Sequence, residues 1–373
     1  MRKNTAAKPG LMDLWLFLPV LLLTLVGIWL VYDSSYARTV ESAWTNMDSW
    51  YLAKRQAIFA VVGIVTMLAA SRIRVSFLSK IAKPFLFLSI LSLILLFPFG
   101  YCVNGAVRWY KIGPLTIQPS EITKLVLVVY LAGFLSQGKK VLHNIDSRWA
   151  LPIGATLLII GLIYMQPDMG TAIAILAIAL AMYFAAGARK RHLFAVMAIL
   201  VLCGATAVHL APYRMGRVKV WQDPWQYRYG EGYQIVHSLI ALGRGGVVGA
   251  GLCEGLEKLY IPAASTDFVF STVGEETGLV GSLIMLGLFI FFVYRGLFVA
   301  QNAKNTFAGL LAVGITAMIG IQALVNVAVV TSSIPATGVT LPFISYGGSS
   351  LVITLAAVGV LLAVSRQTTE PQQ

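Results

Sequence analysis

Long apolar runs recur along the whole of this 373-residue chain, and they constrain its fold more than any other feature. A run of roughly 17–25 apolar residues can cross the hydrocarbon layer of a membrane as a helix. Hydrophobic residues make up 58% of the sequence and charged residues only 12%, which is about half the charge of an average soluble domain. The bilayer is therefore the solvent for most of the chain, and a soluble globular fold is excluded.

Ten segments have the length and composition of a membrane-spanning helix. They centre on residues 11–32, 54–71, 81–99, 119–137, 150–166, 170–187, 193–211, 273–294, 307–331 and 346–364. We therefore predict an all-α integral membrane fold of about ten transmembrane helices, forming one unit over residues 1–373. An even number of spans places both termini on the same side.

The basic residues indicate which side that is. Lys and Arg outnumber Asp and Glu by 28 to 15, which gives a net charge of +13. Most of the basic residues lie in short loops on the side of the N-terminus, as they do in cytoplasmic loops. We predict that both termini are cytoplasmic. Because the basic residues do not gather on one soluble face, the charge indicates topology and anionic lipid head groups, with no nucleic-acid partner.

Residues 212–272 form the one long departure from spanning sequence, and they contain the strings WQDPW, YGEGYQ, GRGGVVGAG and STDF. We predict one large extracytoplasmic loop between helices 7 and 8, with short amphipathic or re-entrant helices over the bundle. Polar and turn residues also gather in three other outer connections, at 104–121, 166–170 and 332–350. The sequence therefore places its unusual chemistry on the outer face.

Several acidic residues stand beside apolar sequence on that face. Asp267 closes the long loop where the chain returns to the membrane, and Glu275 and Glu276 follow about two turns later. A carboxyl group beside apolar groups has a raised pKa and can act as a general base. A solvated loop acid is the alternative for Asp267, whereas Asp168 either caps the following helix or lines a cavity.

A second candidate group lies at the start of the fourth apolar run. Glu121 and Lys124 are three residues apart there, where buried charge is costly and usually functional. The alternative for Glu121 is an interfacial helix cap, and for Trp109 it is a place in an aromatic belt at the membrane surface.

The last outer turn, IPATGVTLPFISYGGSS, interrupts apolar sequence with prolines, glycines and hydroxyls. With nearby glycine N–H groups, its serines could bind phosphate or sugar hydroxyls; they are Ser345, Ser349 and Ser350. Gln322 and Asn326 share a helix face, where we expect an inter-helix hydrogen bond. The sequence has no GxSxG, HExxH, P-loop or dinucleotide fingerprint, so hydrolase, ATP-driven and nicotinamide chemistry are not indicated.

Several motifs together resemble the SEDS family of shape, elongation, division and sporulation proteins. They are NGAVRW, QPSE, QPDMGT, DPW, GYQ, STDFVF, GEETG and LPFISYGGSS, in that order over nearly the whole chain. The strings YLAKRQ, APYRMGRV and GLEKLYIP are most similar to the division branch of the family. The resemblance implies a peptidoglycan glycosyltransferase that polymerises lipid II into glycan strands in a bacterial inner membrane, at the division septum. Its expected partners are a class B penicillin-binding protein and other divisome proteins.

The resemblance also implies roles for single residues. Asp267 matches the family's essential loop Asp and would act as the general base, and Trp109, Glu121 and Lys258 match positions on which the family relies. Positive charge is needed beside the leaving pyrophosphate, and the available cations are Arg108, Lys124, Arg214, Arg217, Arg244 and Lys258. A divalent cation, Mg²⁺ or Mn²⁺, would assist there, but the sequence identifies no ligands for it.

Two other functions compete with this one. A lipid II flippase would also use a membrane cavity with charged residues, but it needs polar residues on both faces of the membrane. A non-enzymatic division scaffold would leave Asp267 and the outer cavity without a task. We therefore keep the flippase as the main alternative.

Overall fold

A computed structural model describes residues 12–41, 45, 47–103, 105–113, 115–137, 150–189, 191 and 212–367. Within these ranges the chain is a helical bundle with one small sheet. The helices are α1 (Leu14–Glu41), α2 (Tyr51–Ala70), α3 (Val75–Phe99), α4 (Pro119–Leu135), α5 (Ala150–Met165), α6 (Met169–Ala185), α7 (Pro212–Gln222), α8 (Tyr233–Gly245), α9 (Val269–Gln301), α10 (Thr306–Val330) and α11 (Gly348–Ser365). A 3₁₀ turn, Glu257–Leu259, lies between α8 and α9.

The helical membrane fold predicted from the apolar runs is confirmed. In the described residues six helices are long and apolar enough to cross a membrane, namely α1, α2, α3, α9, α10 and α11, and α5 and α6 are shorter apolar helices. Large apolar side chains such as Phe87 and Ile290 point outward from the bundle, as lipid-facing residues do. The predicted span 193–211 lies outside the described residues, and the number of crossings and the side of the termini stay predictions.

Strands β1 (Tyr101–Val103), β2 (Ala106–Ile112) and β3 (Leu115–Ile117) form an antiparallel sheet in the order β1-β2-β3. The all-α prediction omitted this sheet. Gly105 and Gly113 have φ of +76° and +59° at its turns, and β-branched and aromatic residues between them favour strands. Pro119 then begins α4 at a position where a missing N–H costs nothing. The sheet thus holds residues 105–113 close to the start of α4.

A kink in α9 joins this helix to the long outer loop. Gly278 has φ +64° and ψ −160°, a conformation that breaks the helical hydrogen-bond ladder. The freed carbonyls of Glu275 and Glu276 accept hydrogen bonds from the N–H groups of Ala250 and Gly251, at 2.9 and 3.1 Å. The part of the loop after α8 is therefore bonded directly to the outer end of α9.

Helix α11 lies at the centre of the bundle and packs closely against α2. A Cβ atom at Gly359 would lie 2.3 Å from the main-chain oxygen of Met67, so only glycine permits this approach. Small residues allow such close helix contacts in membranes, where association depends on packing and hydrogen bonds.

The close approach at Gly359 predicts a large stability difference between two glycine substitutions. Gly359→Leu must separate α2 from α11 and should destabilise the protein by about 1–3 kcal/mol or more. Gly161→Leu on α5 is the matched control, because a Cβ atom there meets nothing within 4 Å. Thermal unfolding of the purified variants in detergent measures the difference, and equal melting temperatures would contradict this account of the bundle centre.

Candidate functional site

Asp267 lies in the turn that leads into α9, and the structure holds its backbone on one side. The main-chain oxygen of Ser265 accepts a hydrogen bond from the N–H of Tyr346 at 2.8 Å, and that of Thr266 accepts one from the Ser345 hydroxyl. The oxygen of Asp267 itself accepts one from the Asn326 side-chain amide at 2.7 Å. The turn is therefore bonded to α10 and to the segment between α10 and α11.

Three charged residues from distant parts of the sequence act on the Asp267 carboxyl. The side chain is half-buried, and removal from water raises its pKa to about 6. Arg108 opposes this rise, Asp168 adds to it and Arg217 opposes it again. A carboxyl group with this pKa is mostly ionised at neutral pH and can still accept a proton readily, as a general base must.

Arg108 connects the small sheet to the turn before α6. It lies on β2, and its guanidinium donates hydrogen bonds to the main-chain oxygens of Gln166, at 3.3 Å, and of Pro167. These bonds leave its charge directed at the same region as Asp267. The sequence grouped Arg108 with the candidate cations, and the structure places it in this cluster.

Asp168 combines the two interpretations that its sequence left open. Its carboxylate accepts a hydrogen bond from the N–H of Thr171 at 3.2 Å and so caps α6. It is also buried, lies 3.4 Å from the Gln118 amide and contributes negative charge at Asp267. Capping is therefore one of its roles, and electrostatics at Asp267 is the other.

Arg217 reaches the cluster from α7, the first helix of the long loop. Its guanidinium donates to the main-chain oxygen of Ala336 at 2.7 Å, and the Trp221 indole N–H donates to that of Ser332 at 3.0 Å. These bonds fix α7 against the segment that follows α10. Arg214 is also on α7, but its side chain lies outside the described part of the structure.

Glu121 and Lys124 form an almost fully buried ion pair, with 2.7 Å between Oε1 and Nζ. The Ser350 hydroxyl donates to the other oxygen of Glu121 at 3.0 Å, which brings the start of α11 to the start of α4. Trp109 lies half-buried on the neighbouring strand β2, paired with Tyr101. The pair is too deeply buried to be only a solvated helix cap.

The three candidate serines bond within the protein. The Ser345 hydroxyl donates to the oxygen of Thr266 and accepts from the N–H of Leu341. Ser349 donates to the oxygen of Thr116, while Ser350 donates to Glu121 as described. Their hydroxyls hold the last outer turn in place, a role that the sequence did not predict for them.

Lys258 belongs to a different charged group from Asp267. Its ammonium bonds to Asp33 on α1 and lies 2.5 Å from Oε1 of Glu276 on α9. All three side chains are buried. Removing one member of a buried ion pair typically costs 3–5 kcal/mol. Lys258 thus ties the long loop to two helices of the bundle.

Arg244 and Glu275 extend this second group. Arg244 lies 3.5 Å from Glu257 and 3.8 Å from Glu275, and His237 lies 2.6 Å from the other oxygen of Glu257. Glu275 also accepts a hydrogen bond from the N–H of Leu256 at 2.8 Å. The sequence grouped Arg244, Lys258, Glu275 and Glu276 with the substrate-binding residues, but the structure gives each a protein partner. The charges that shift the pKa of Asp267 are others.

Sequence reasoning missed several members of both groups. Asp33 pairs with a lysine that is 225 positions away, although a lone acid at the end of the first apolar run was a visible signal. Asn326 was expected to bond another helix, and instead it bonds two non-helical carbonyls. Cys102 and Cys253 are both exposed and free.

Comparison with known proteins places the chain in a family. A family model described as "Cell cycle protein", covering FtsW, RodA and SpoVE, matches residues 13–370. A "Probable peptidoglycan glycosyltransferase FtsW" from Trichlorobacter lovleyi is 41% identical over 357 residues, covering 95% of this chain and 93% of the relative. Stage V sporulation protein E from Bacillus subtilis is 38% identical, with coverages of 95% and 97%.

Solved structures agree with these sequence matches. A chain from a peptidoglycan synthase complex that couples polymerization and crosslinking has a TM-score of 0.81 at 31% identity, covering 96% of this chain and 99% of that one. The rod shape determining protein RodA from Thermus thermophilus has a TM-score of 0.71 at 29% identity, with coverages of 96% and 98%. The chain therefore belongs to the SEDS family, the membrane proteins of the FtsW, RodA and SpoVE type.

Proposed function

We propose that this protein is a peptidoglycan glycosyltransferase that polymerises lipid II at the outer membrane face, with Asp267 as the general base. Relatives that match almost the whole chain carry this activity in their names. The observation that carries the assignment of Asp267 is its half-buried carboxyl with a pKa of about 6, acted on by two arginines that come from β2 and α7.

The reaction needs a base and positive charge, but no nucleotide. Asp267 takes the proton of the acceptor sugar hydroxyl as that oxygen attacks the anomeric carbon of the donor. The bond from this carbon to the pyrophosphate breaks, and the polyprenyl pyrophosphate leaves with its electron pair. Arg108 and Arg217 stabilise the charge that develops on the leaving group. Proton transfer to a placed base contributes typically 10²–10⁴-fold to such a rate.

Glu121, Lys124 and Ser350 support this site at the start of α4. Their hydrogen bonds join α4 to α11, and the ammonium of Lys124 is a buried positive group at this junction. We propose that Trp109, on the adjacent strand, provides an apolar wall for a sugar or prenyl unit. Ser345 and Ser349 contribute by fixing the outer turn.

A divalent cation at the pyrophosphate remains part of the proposal as an external aid. Among the described residues, no three His, Cys, Asp or Glu side chains converge on a point where they could hold a metal ion. The positive charge in the proposed step comes from the arginines.

We further propose that the protein works with a class B penicillin-binding protein in the inner membrane at the division septum. A structural relative belongs to a peptidoglycan synthase complex that combines polymerization with crosslinking, and relatives of the division type match the chain closely. A polymerase and a crosslinking partner in one complex would deliver new strands directly to their cross-linking step.

An amide substitution at Asp267 tests the base. Asp267→Asn removes the proton acceptor and should lower polymerisation of labelled lipid II by about 10²-fold or more, with expression and melting temperature unchanged. Glu254→Gln, a charge-removing change at an exposed acid of the same loop, should leave the rate unchanged. The rate is measured with purified protein and its partner in detergent or vesicles.

Two results would count against the proposal. An active Asp267→Asn variant would remove the base from the mechanism. A wild-type protein that carries lipid II across vesicle membranes and forms no polymer would favour the flippase.

Another prediction concerns pH. Because the base acts in its ionised form, activity should fall about tenfold per pH unit below the pKa of Asp267, which is about 6. Asp168 raises this pKa and Arg108 lowers it. Asp168→Asn, which keeps a side chain able to cap α6, should therefore move the midpoint to lower pH, and Arg108→Gln should move it to higher pH. Shifts of kcat/KM profiles in the same direction for both variants would contradict the proposed cluster.

A further inference from the structure

The carbonyl groups just before α9 are held one after another. The carbonyl of Ser265 accepts a hydrogen bond from the N–H of Tyr346, and that of Thr266 accepts one from the Ser345 hydroxyl. Both donors belong to the last outer turn. The third carbonyl, that of Asp267, is bonded only by Asn326 on α10 among the described residues. This third bond is the one that acts on the residue carrying the proposed base.

Among the described residues, no N–H group of α9 bonds the Asp267 carbonyl. The first turn of α9 is closed by a hydrogen bond from the N–H of Ser271 to the oxygen of Phe268, at 3.0 Å. Without Asn326, the half-buried oxygen of Asp267 would lose its acceptor bond. The turn would then relax or bring in water.

The second N–H of the Asn326 amide bonds to the segment between α10 and α11. The same Nδ2 donates to the main-chain oxygen of Val339 at 2.8 Å. The preceding residue, Gly338, faces the carboxylate, because a Cβ atom there would lie 3.5 Å from Oδ2 of Asp267. One fully buried amide thus holds both the backbone of Asp267 and the backbone beside its carboxylate.

We infer that Asn326 is a positioning residue that sets the place of the Asp267 carboxylate relative to the Gly338 backbone. The inference rests on the proposed glycosyltransferase function, since it gives the positioned carboxylate its task. A helix-packing role would direct the amide to another helix. Both of its N–H groups instead bond non-helical carbonyls, those of Asp267 and Val339. Its Oδ1 is buried without a hydrogen-bond partner in the described residues.

Asn326→Leu tests the inference, because it keeps the size of the side chain and its neutrality while removing both donors. Displacement of a catalytic group by about 1 Å can lower a rate by about 10²-fold, so we expect kcat to fall by about 10- to 100-fold. The KM for lipid II should change by less than about threefold, since the Asn326 side chain is fully buried and bonds only to the protein backbone.

The pH profile separates positioning from general structural damage. Without the two hydrogen bonds of Asn326, the Asp267 carboxylate becomes more hydrated, which lowers its pKa. The midpoint of the profile should therefore fall below the wild-type value of about 6. Arg108, Asp168 and Arg217, the charges that act on Asp267, are unchanged in this variant. Asn326→Gln, which keeps both N–H donors on a longer side chain, should recover part of kcat and part of the pH shift.

Gln322→Leu is the matched control. Gln322 is a buried amide one turn away on the same helix, and no described residue bonds its Oε1. Gln322→Leu removes a buried amide from the same helix without removing a bond to Asp267 or Val339, so it should leave kcat and the pH midpoint unchanged. Should Asn326→Leu not purify in a folded form, Asn326→Ser repeats the comparison with a smaller side chain.

Three outcomes decide the matter. Normal kcat and a normal pH midpoint for Asn326→Leu, or the same pH shift in Gln322→Leu, would overturn the inference while the proposed function stands. An inactive wild-type protein or an active Asp267→Asn variant, assayed in parallel, would overturn the proposed function instead. A selective loss of kcat with a lowered midpoint, partly recovered by Asn326→Gln, supports the inference.

Discussion

Backbone that leaves the helical conformation close to a membrane needs hydrogen-bond partners from the protein, because lipid supplies none. In this structure, two non-helical segments are joined at such groups. The carbonyls of Ser265 and Thr266, before α9, accept hydrogen bonds from Tyr346 and Ser345, after α10, and Asn326 donates to the carbonyls of Asp267 and Val339. The position of Asp267 follows from these bonds, since its carbonyl is one of the groups that must be bonded.

The same constraint explains how charges from remote positions meet. Arg108 and Arg217 are brought to Asp267 by hydrogen bonds to main-chain oxygens of Gln166, Pro167 and Ala336. A guanidinium has five donors, so it can satisfy carbonyls at turns and still act with its charge on the Asp267 carboxyl. Turns that would be costly near hydrocarbon thus become the scaffold for the cations of the proposed reaction.

The sequence predicted the helices well because a span is a local property of about twenty residues. Nine of the predicted segments coincide with helices of the described structure, and Asp267, Arg108, Asp168 and Arg217 were all named as candidates. What it could not predict was pairing across the fold. Lys258 was grouped with the cations for pyrophosphate because its partner, Asp33, lies 225 positions away and is not recognisable from the sequence. The serines looked like ligand-binding groups because hydroxyl partners on other segments are invisible in a single sequence.

These pairings divide the end of the bundle that carries the long loop into two regions with different demands. Around Lys258, Arg244 and their acidic partners, charges are matched closely and anchor the long loop to α1 and α9. Around Asp267 the carboxyl has no hydrogen-bonded cation in the described residues, and burial raises its pKa to about 6. A fully paired carboxylate would have a low pKa and would be a poor base at neutral pH. The ion pairs around Lys258 and Arg244 therefore hold the loop in place, and the Asp267 carboxyl can stay without a bonded cation. Proton transfer to a base requires such a fixed position.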